Sequence, residues 1–250
     1  MMEETRTEPT ARKPTRDLLG LILAGTSGVL IIFALGMALV YAPRELTMGN
    51  VQRIFYFHVA SAWVGFFGFF VTFLAGIAYL ATGKRRWDIL GLSSVEVGLT
   101  FIAMTVVTGS LWARPVWGTY WTWEPRLTIS ALQLLIYVAY GMLRASITGS
   151  ERRARFAAVY GIVAFVTVPL SWFAIRWWRT IHPDILTGGD SMTVTPRMVQ
   201  TLVVSIGAFT ALYATLVRQR VRLERADDAL TRLRLRVDER QSRLKSRRSG

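Results

Sequence analysis

His58 and His182 are the only two imidazoles in a chain of 250 residues that contains no cysteine. His58 lies in IFYFHVASAW and His182 in RWWRTIHPDILTGGD. Between them runs WARPVWGTYWTWEPR, in which four of the chain's nine tryptophans, Trp112, Trp117, Trp121 and Trp123, crowd together with Tyr120. Neutral imidazole is a common metal ligand near neutral pH. Two of them, without thiolates or a carboxylate cluster, leave a free ion short of ligands and suit an iron already held in a porphyrin. A porphyrin is flat and apolar, so indole faces make a platform for it. Its propionates require cations, and a guanidinium grips a carboxylate through two hydrogen bonds. Arg53, Arg114, Arg126, Arg176 and Arg179 are the candidates. The competing reading is an aromatic belt at headgroup level with arginines meeting lipid phosphates.

Which reading holds depends on the elements that position these residues. The chain is 52% hydrophobic and only 18% charged, richer in apolar residues than soluble domains are. Six windows, Leu18–Tyr41, Ile54–Thr82, Ile89–Leu111, Leu127–Leu143, Phe156–Ile175 and Met198–Val217, are each near the roughly 20 residues that cross a hydrocarbon core. The expected fold is therefore all-α, a polytopic six-helix membrane bundle. Its expected organisation is an N-terminal segment 1–17, a membrane domain 18–217 and a basic helical tail 218–250. The uncharged run of the first window exceeds the roughly 7–15 apolar residues of a cleaved signal, so it is expected to be a retained span. Pro169 is expected to kink the fifth span.

Six spans place both termini on one side. On that side fall 23 of the 30 Lys and Arg residues, against 7 in the other connections. The positive-inside rule puts the termini in the cytoplasm and both histidines at the outer boundary of a multi-pass cytoplasmic-membrane protein. Eight of the nine tryptophans then fall in the outer half or its loops, leaving only Trp87 inside. Anchoring alone predicts a belt at both interfaces, so the one-sidedness favours a platform.

The net charge of +14 invites a nucleic-acid reading, yet 12 of the 30 basic residues lie in the tail, beside five acidic ones. Leu223, Leu230, Val237 and Leu244 recur every seven residues, with Ala226 and Leu233 between them. That spacing predicts a helix with one apolar stripe, serving topology, lipid headgroups or a coiled coil rather than nucleic acid. The absence of cysteine removes zinc-thiolate sites, disulfides and covalent haem attachment through CxxCH. No Gly-rich phosphate loop and no Ser/His/Asp grouping occurs. Glu96 is the one charged residue within any window, open to a functional or a local structural role.

The stretch WGTYWTWEPRLT resembles the tryptophan-rich WGxxWxWD signature of membrane haem-handling proteins. With six spans and a histidine on either side of the motif, the chain is similar to the haem exporter protein C (CcmC) family of bacterial cytochrome c maturation, from about Leu18 to Val217. The resemblance implies that His58 and His182 are the two axial ligands of the iron of a transient, non-covalent haem b. It implies a platform of Trp117, Gly118, Trp121 and Trp123, to which the residues themselves add Trp112 and Tyr120. It further implies a non-enzymatic handover of haem to a periplasmic haem chaperone, with ABC transporter subunits and a small single-span subunit as partners. The family usually carries Asp where this chain has Glu124, so Glu124 is left as an acid or a partner contact. The membrane component of a cytochrome c synthetase, or haem lyase, shares the signature but brings further membrane-embedded histidines; an electron-transfer subunit or channel needs haems at two depths or a polar path.

Overall fold

The computed structural model describes residues 17–178, His182 and residues 194–248. The described residues form seven α-helices: α1 (Leu18–Gly36), α2 (Ile54–Thr82), α3 (Arg85–Trp117), α4 (Pro125–Ser146), α5 (Ser150–Ala164), α6 (Thr167–Trp177) and α7 (Pro196–Arg248). Together they supply six segments long and apolar enough to cross a membrane, α5 and α6 jointly making the fifth. The chain is a multi-pass, all-α membrane protein. Asp17, at the start of α1, pairs with Arg218 at 2.8 Å and with Arg222. This places the start of α1 and the tail at one end of the bundle, with His58 and the tryptophan-rich stretch at the other.

In lipid no hydrophobic drive pushes helices together, so close packing of small residues does that work. The α2–α3 seam shows it. A Cβ built on Gly68 would stand 3.0 Å from the Gly98 Cα, and one on Gly65 would stand 2.5 Å from the Ile102 side chain. Ser94 donates to the Gly68 carbonyl at 2.7 Å and shares a 2.6 Å hydrogen bond with Tyr213 of α7. Three helices are thereby joined at one buried point. α7 also packs Phe209 and Val217 against Ala60, Val64 and Phe101 of the α2–α3 pair.

Several boundaries differ from those expected. The third apolar window ends at Leu111, but α3 runs on to Trp117, because Arg114 and Pro115 end hydropathy without ending the helix. Gly118, at φ 75°, then terminates it, its N–H bonded to the Arg114 carbonyl at 3.0 Å. The fifth crossing is interrupted. It breaks at Phe165 and Val166, one turn before Pro169: without an N–H on Pro169, the Phe165 carbonyl accepts from Val168 at 2.9 Å instead. At the end of α1 the chain widens into a π-turn, Met37–Tyr41. The residue four beyond Leu39 is Pro43, which has no N–H to offer. The Arg53 guanidinium donates to the Leu39 carbonyl in its place.

α7 continues without a break through the expected boundary at residues 217 and 218. The opposite end of the bundle from His58 is laced by ion pairs. Arg144 donates to Asp88 at 2.6 and 3.2 Å, both side chains being less than a tenth exposed. Arg85 bonds Asp88 and also Asp228 on α7, the latter at 3.0 and 3.1 Å. Glu96 accepts from Arg220 at 2.5 and 3.1 Å. It thereby ties α3 to α7. The Arg218 guanidinium and the Gly20 N–H hold the Asp17 carboxyl below the usual carboxylate range. A depressed carboxyl contributes stability above its unfolded pKa, near 3.8, and loses it as pH falls through the folded value.

Candidate functional site

His58 sits in the second turn of α2, facing α3. Its Nδ1 lies 3.2 Å from Thr108 Oγ1, and that hydroxyl in turn donates to the Met104 carbonyl at 2.7 Å. Thr108 thus occupies Nδ1, leaving Nε2 for any further partner. The ring fits against α3 only because residue 109 is glycine: a Cβ there would meet His58 Cε1 at 2.8 Å.

Across from it stands His182. The two ring centroids are 6.4 Å apart with the planes inclined by 36°. A first-row metal ion lies about 2.0–2.1 Å from an imidazole nitrogen, itself about 1.1 Å from its ring centre, so one ion between two rings sets the centroids about 6.2–6.4 Å apart. The observed spacing matches that arrangement. Among the described residues no group of three or more His, Cys, Asp or Glu side chains converges. Among the described residues that leaves the two imidazoles as candidate donors, a set that would suit an iron whose other four positions a macrocycle fills.

The pocket holding both rings is walled by Trp112, Trp117, Trp121, Phe66 and Leu127, with Arg126 and Ser130 at its polar side. Trp112 is 3% exposed and packs 6.4 Å from His58 and 6.1 Å from Trp117, centroid to centroid. The indole N–H groups of Trp112 and Trp121 are buried without a hydrogen-bond acceptor. A buried polar group without a partner costs free energy, so two such donors in one pocket are consistent with a ligand that brings acceptors.

The other expected platform residues divide. Trp112 and Trp117 belong to the last turns of α3, and the connection proper is Gly118–Glu124. Gly118 serves as the left-handed cap of α3. Tyr120 is exposed beneath the Arg114 guanidinium, 5.6 Å from ring centre to charge. Trp123 is 78% exposed and meets the edge of Trp121, so it stands on the rim and not in the pocket. Glu124 caps α4, its Oε1 accepting from the Leu127 N–H at 3.1 Å, with Pro125 in the favoured first helical position.

Of the described arginine candidates, Arg126 alone lines the pocket. Arg53 serves Leu39, Arg114 donates to the Gly118 carbonyl at 2.5 Å, and Arg176 is exposed at the end of α6. Arg179 lies outside the described residues. Sequence reasoning did not single out Gly109, Thr108 or Phe66. One signal was available for Gly109: it is a glycine inside a helix, at the depth of His58 on the neighbouring span.

Six membrane-crossing helices closing at one end around two neighbouring imidazoles and several indoles define a polytopic membrane protein with a histidine-lined pocket. The chain belongs to the heme exporter protein C family, whose sequence model (CcmC, Heme exporter protein C) matches residues 4–236. It is similar to the Heme exporter protein C of Bradyrhizobium diazoefficiens, 32% identical over 76% of this chain and 73% of that protein. The Heme exporter protein C of Escherichia coli strain K12 is 30% identical over 73% of this chain and 74% of its own length. A Marchantia polymorpha protein named "Putative cytochrome c biosynthesis ccmC-like mitochondrial protein" is 29% identical over 64% of this chain and 68% of its own length.

Proposed function

We propose that this chain carries haem for cytochrome c maturation, holding the iron between His58 and His182 and releasing it to a periplasmic haem chaperone. The observation that carries this reading is the 6.4 Å spacing of the two imidazole centroids inside an indole-walled pocket. Haem is here a cargo and not a resident cofactor. Without cysteine no thioether can form on this chain, so the hold is coordinate and reversible. Two imidazoles keep the iron six-coordinate, away from stray oxygen chemistry, until an incoming ligand displaces one of them. Arg126 is placed to meet a propionate, and the Trp112 and Trp121 N–H groups to donate to acceptors on the cargo.

The Lys and Arg distribution supports a cytoplasmic-membrane orientation with the tail inside and the pocket outside. Trp123 and Tyr120, exposed on the rim, then offer the chaperone an aromatic landing surface. Subunits of an ABC transporter and a small single-span protein are the further partners this reading implies. A haem lyase of the same signature is disfavoured, because the chain has no third histidine to bring haem across.

The space open to water-sized spheres in the pocket is about 60 Å³, far below a macrocycle. Loading therefore requires one wall to move outward while the imidazole pair is set up around the iron. Purified protein is expected to show a low-spin, b-type absorption spectrum, removable by acid extraction, and to transfer that haem to added chaperone. A spectrum of high-spin iron, or no haem uptake on titration, overturns the proposal.

Gly109→Val checks the wall. The added side chain occupies the position of the His58 ring, so haem affinity measured by optical titration is expected to fall at least about ten-fold. Gly109→Ala should lose less, since only one carbon must be accommodated.

A further inference from the structure

At the far end from the haem pocket, α7 leaves the bundle as an unbroken helix to Arg248. At ~1.5 Å per residue the part beyond Val217 is about 45 Å long. Asp228, bound to Arg85, is its last tie to α3. From Ala229 to Ser246 every residue whose burial is described is exposed. Leu230, Leu233, Val237 and Leu244 each show more than half of their surface.

Apart from Leu235, 58% exposed at the side of the helix that carries Asp228, these residues lie on one stripe. With Leu223 in heptad position a, Leu230, Val237 and Leu244 repeat it, while Ala226 and Leu233 take position d. Asp228 falls on position f, across the helix from that seam. The residue tying the tail to the bundle therefore leaves the apolar seam facing away from it. Arg240 takes the next d position, and Arg234 and Arg236 flank the seam at e and g. Residues 230–248 carry eight Lys and Arg against two acids.

The charges decide among occupants. Two copies in one membrane send their tails out in the same direction, so a self-paired coiled coil would be parallel. In it each Arg240 would meet its own counterpart inside the seam, a like-charge contact at a buried position. A lipid surface is disfavoured by geometry, because a helix continuing straight from a span stands out of the membrane and cannot lie in the interface. What fits is an apolar stripe bordered by acid.

We propose that residues 223–244 are a docking surface for an amphipathic helix of a partner protein, apolar along its seam, with an acidic residue opposite Arg240 and acids flanking the stripe. The helix is already formed and anchored by its span, so docking orders few new residues on this side. The partner helix is cytoplasmic if the tail is.

The test uses the full chain in zwitterionic phosphatidylcholine nanodiscs. The probe is a synthetic helix with leucine at its seam, glutamate opposite Arg240 and glutamate at the flanking positions. It is expected to bind, to protect amides 230–244 from hydrogen exchange, and to bind at least ten-fold tighter than a lysine-flanked control. Leu233→Asp should abolish binding, and Arg240→Glu should reverse the preference between the two peptides. Equal binding of both peptides, or no protection of the tail, overturns the proposal. So does tail protection without peptide in phosphatidylglycerol nanodiscs, which would make lipid the occupant. The chain lacks cysteine, so Gln241→Cys reports self-pairing cleanly. Efficient disulfide cross-linking in the otherwise unaltered tail overturns the proposal, whereas cross-linking only after Arg240→Leu supports it.

Discussion

His58→Ala is expected to eliminate the low-spin haem spectrum, and His182→Ala to do the same. Losing a mere hydrogen-bonding partner of a metal ligand costs about 10–100-fold in metal affinity, and removing the ligand itself should cost more. The two variants should nevertheless differ in rescue. His58 lies in a preformed slot between α2 and α3, lined by Gly109 and Thr108, so its deletion leaves a ring-shaped hole. Added imidazole should enter that hole and restore six-coordinate iron. Among the described residues no glycine cleft receives the His182 ring, so rescue of His182→Ala should be weaker. Thr108→Val should retain the spectrum with reduced affinity, since the ring keeps its place and loses only its orienting bond. Unchanged spectra and unchanged transfer in both histidine variants would remove the haem proposal altogether.

The second large effect is at the other end. Asp88 accepts from Arg144 and Arg85 at a site where its own side chain is 3% exposed and that of Arg144 is 7% exposed. Removing one partner of a buried pair typically costs 3–5 kcal/mol, because the remaining charge is left without compensation. Asp88→Asn leaves the buried Arg144 without its carboxylate, while Arg85 keeps Asp228, and should fall within that range. Arg144→Leu leaves Asp88 with Arg85 and should cost less. Both are read as a lower midpoint of thermal unfolding in detergent and as lower membrane yield. An unchanged midpoint for Asp88→Asn would mean that water reaches the pair freely. Haem affinity per folded molecule should hardly change, since the pair and the pocket sit at opposite ends.

The six crossings were legible in the sequence because apolar runs of the right length have no alternative use in a chain with so few charges. The approach of the two imidazole rings was legible too, in outline: with only two present, a shared surface was the informative arrangement. Helix ends were not. Arg114 and Pro115 interrupt hydropathy, and hydropathy is not what ends α3; Gly118 does. Tyr120 and Trp123 show where spacing falls short: side-chain direction separates rim from wall, and spacing cannot. Asp88 and Arg144 went unremarked because 56 positions separate them and each lies at the edge of an apolar window. The single-residue fit of Gly109 against His58 depends on the relative rotation of two helices, which no local pattern encodes.

The glycine seam between α2 and α3 has a mechanical consequence for how the pocket opens. Gly65 and Gly68 leave no room even for a Cβ against Ile102 and Gly98, so α2 and α3 meet backbone to backbone and interlock. His58 and Trp112 are thus bolted to one rigid block, the stationary jaw of a vice. Any widening of the pocket would then fall to walls outside this block.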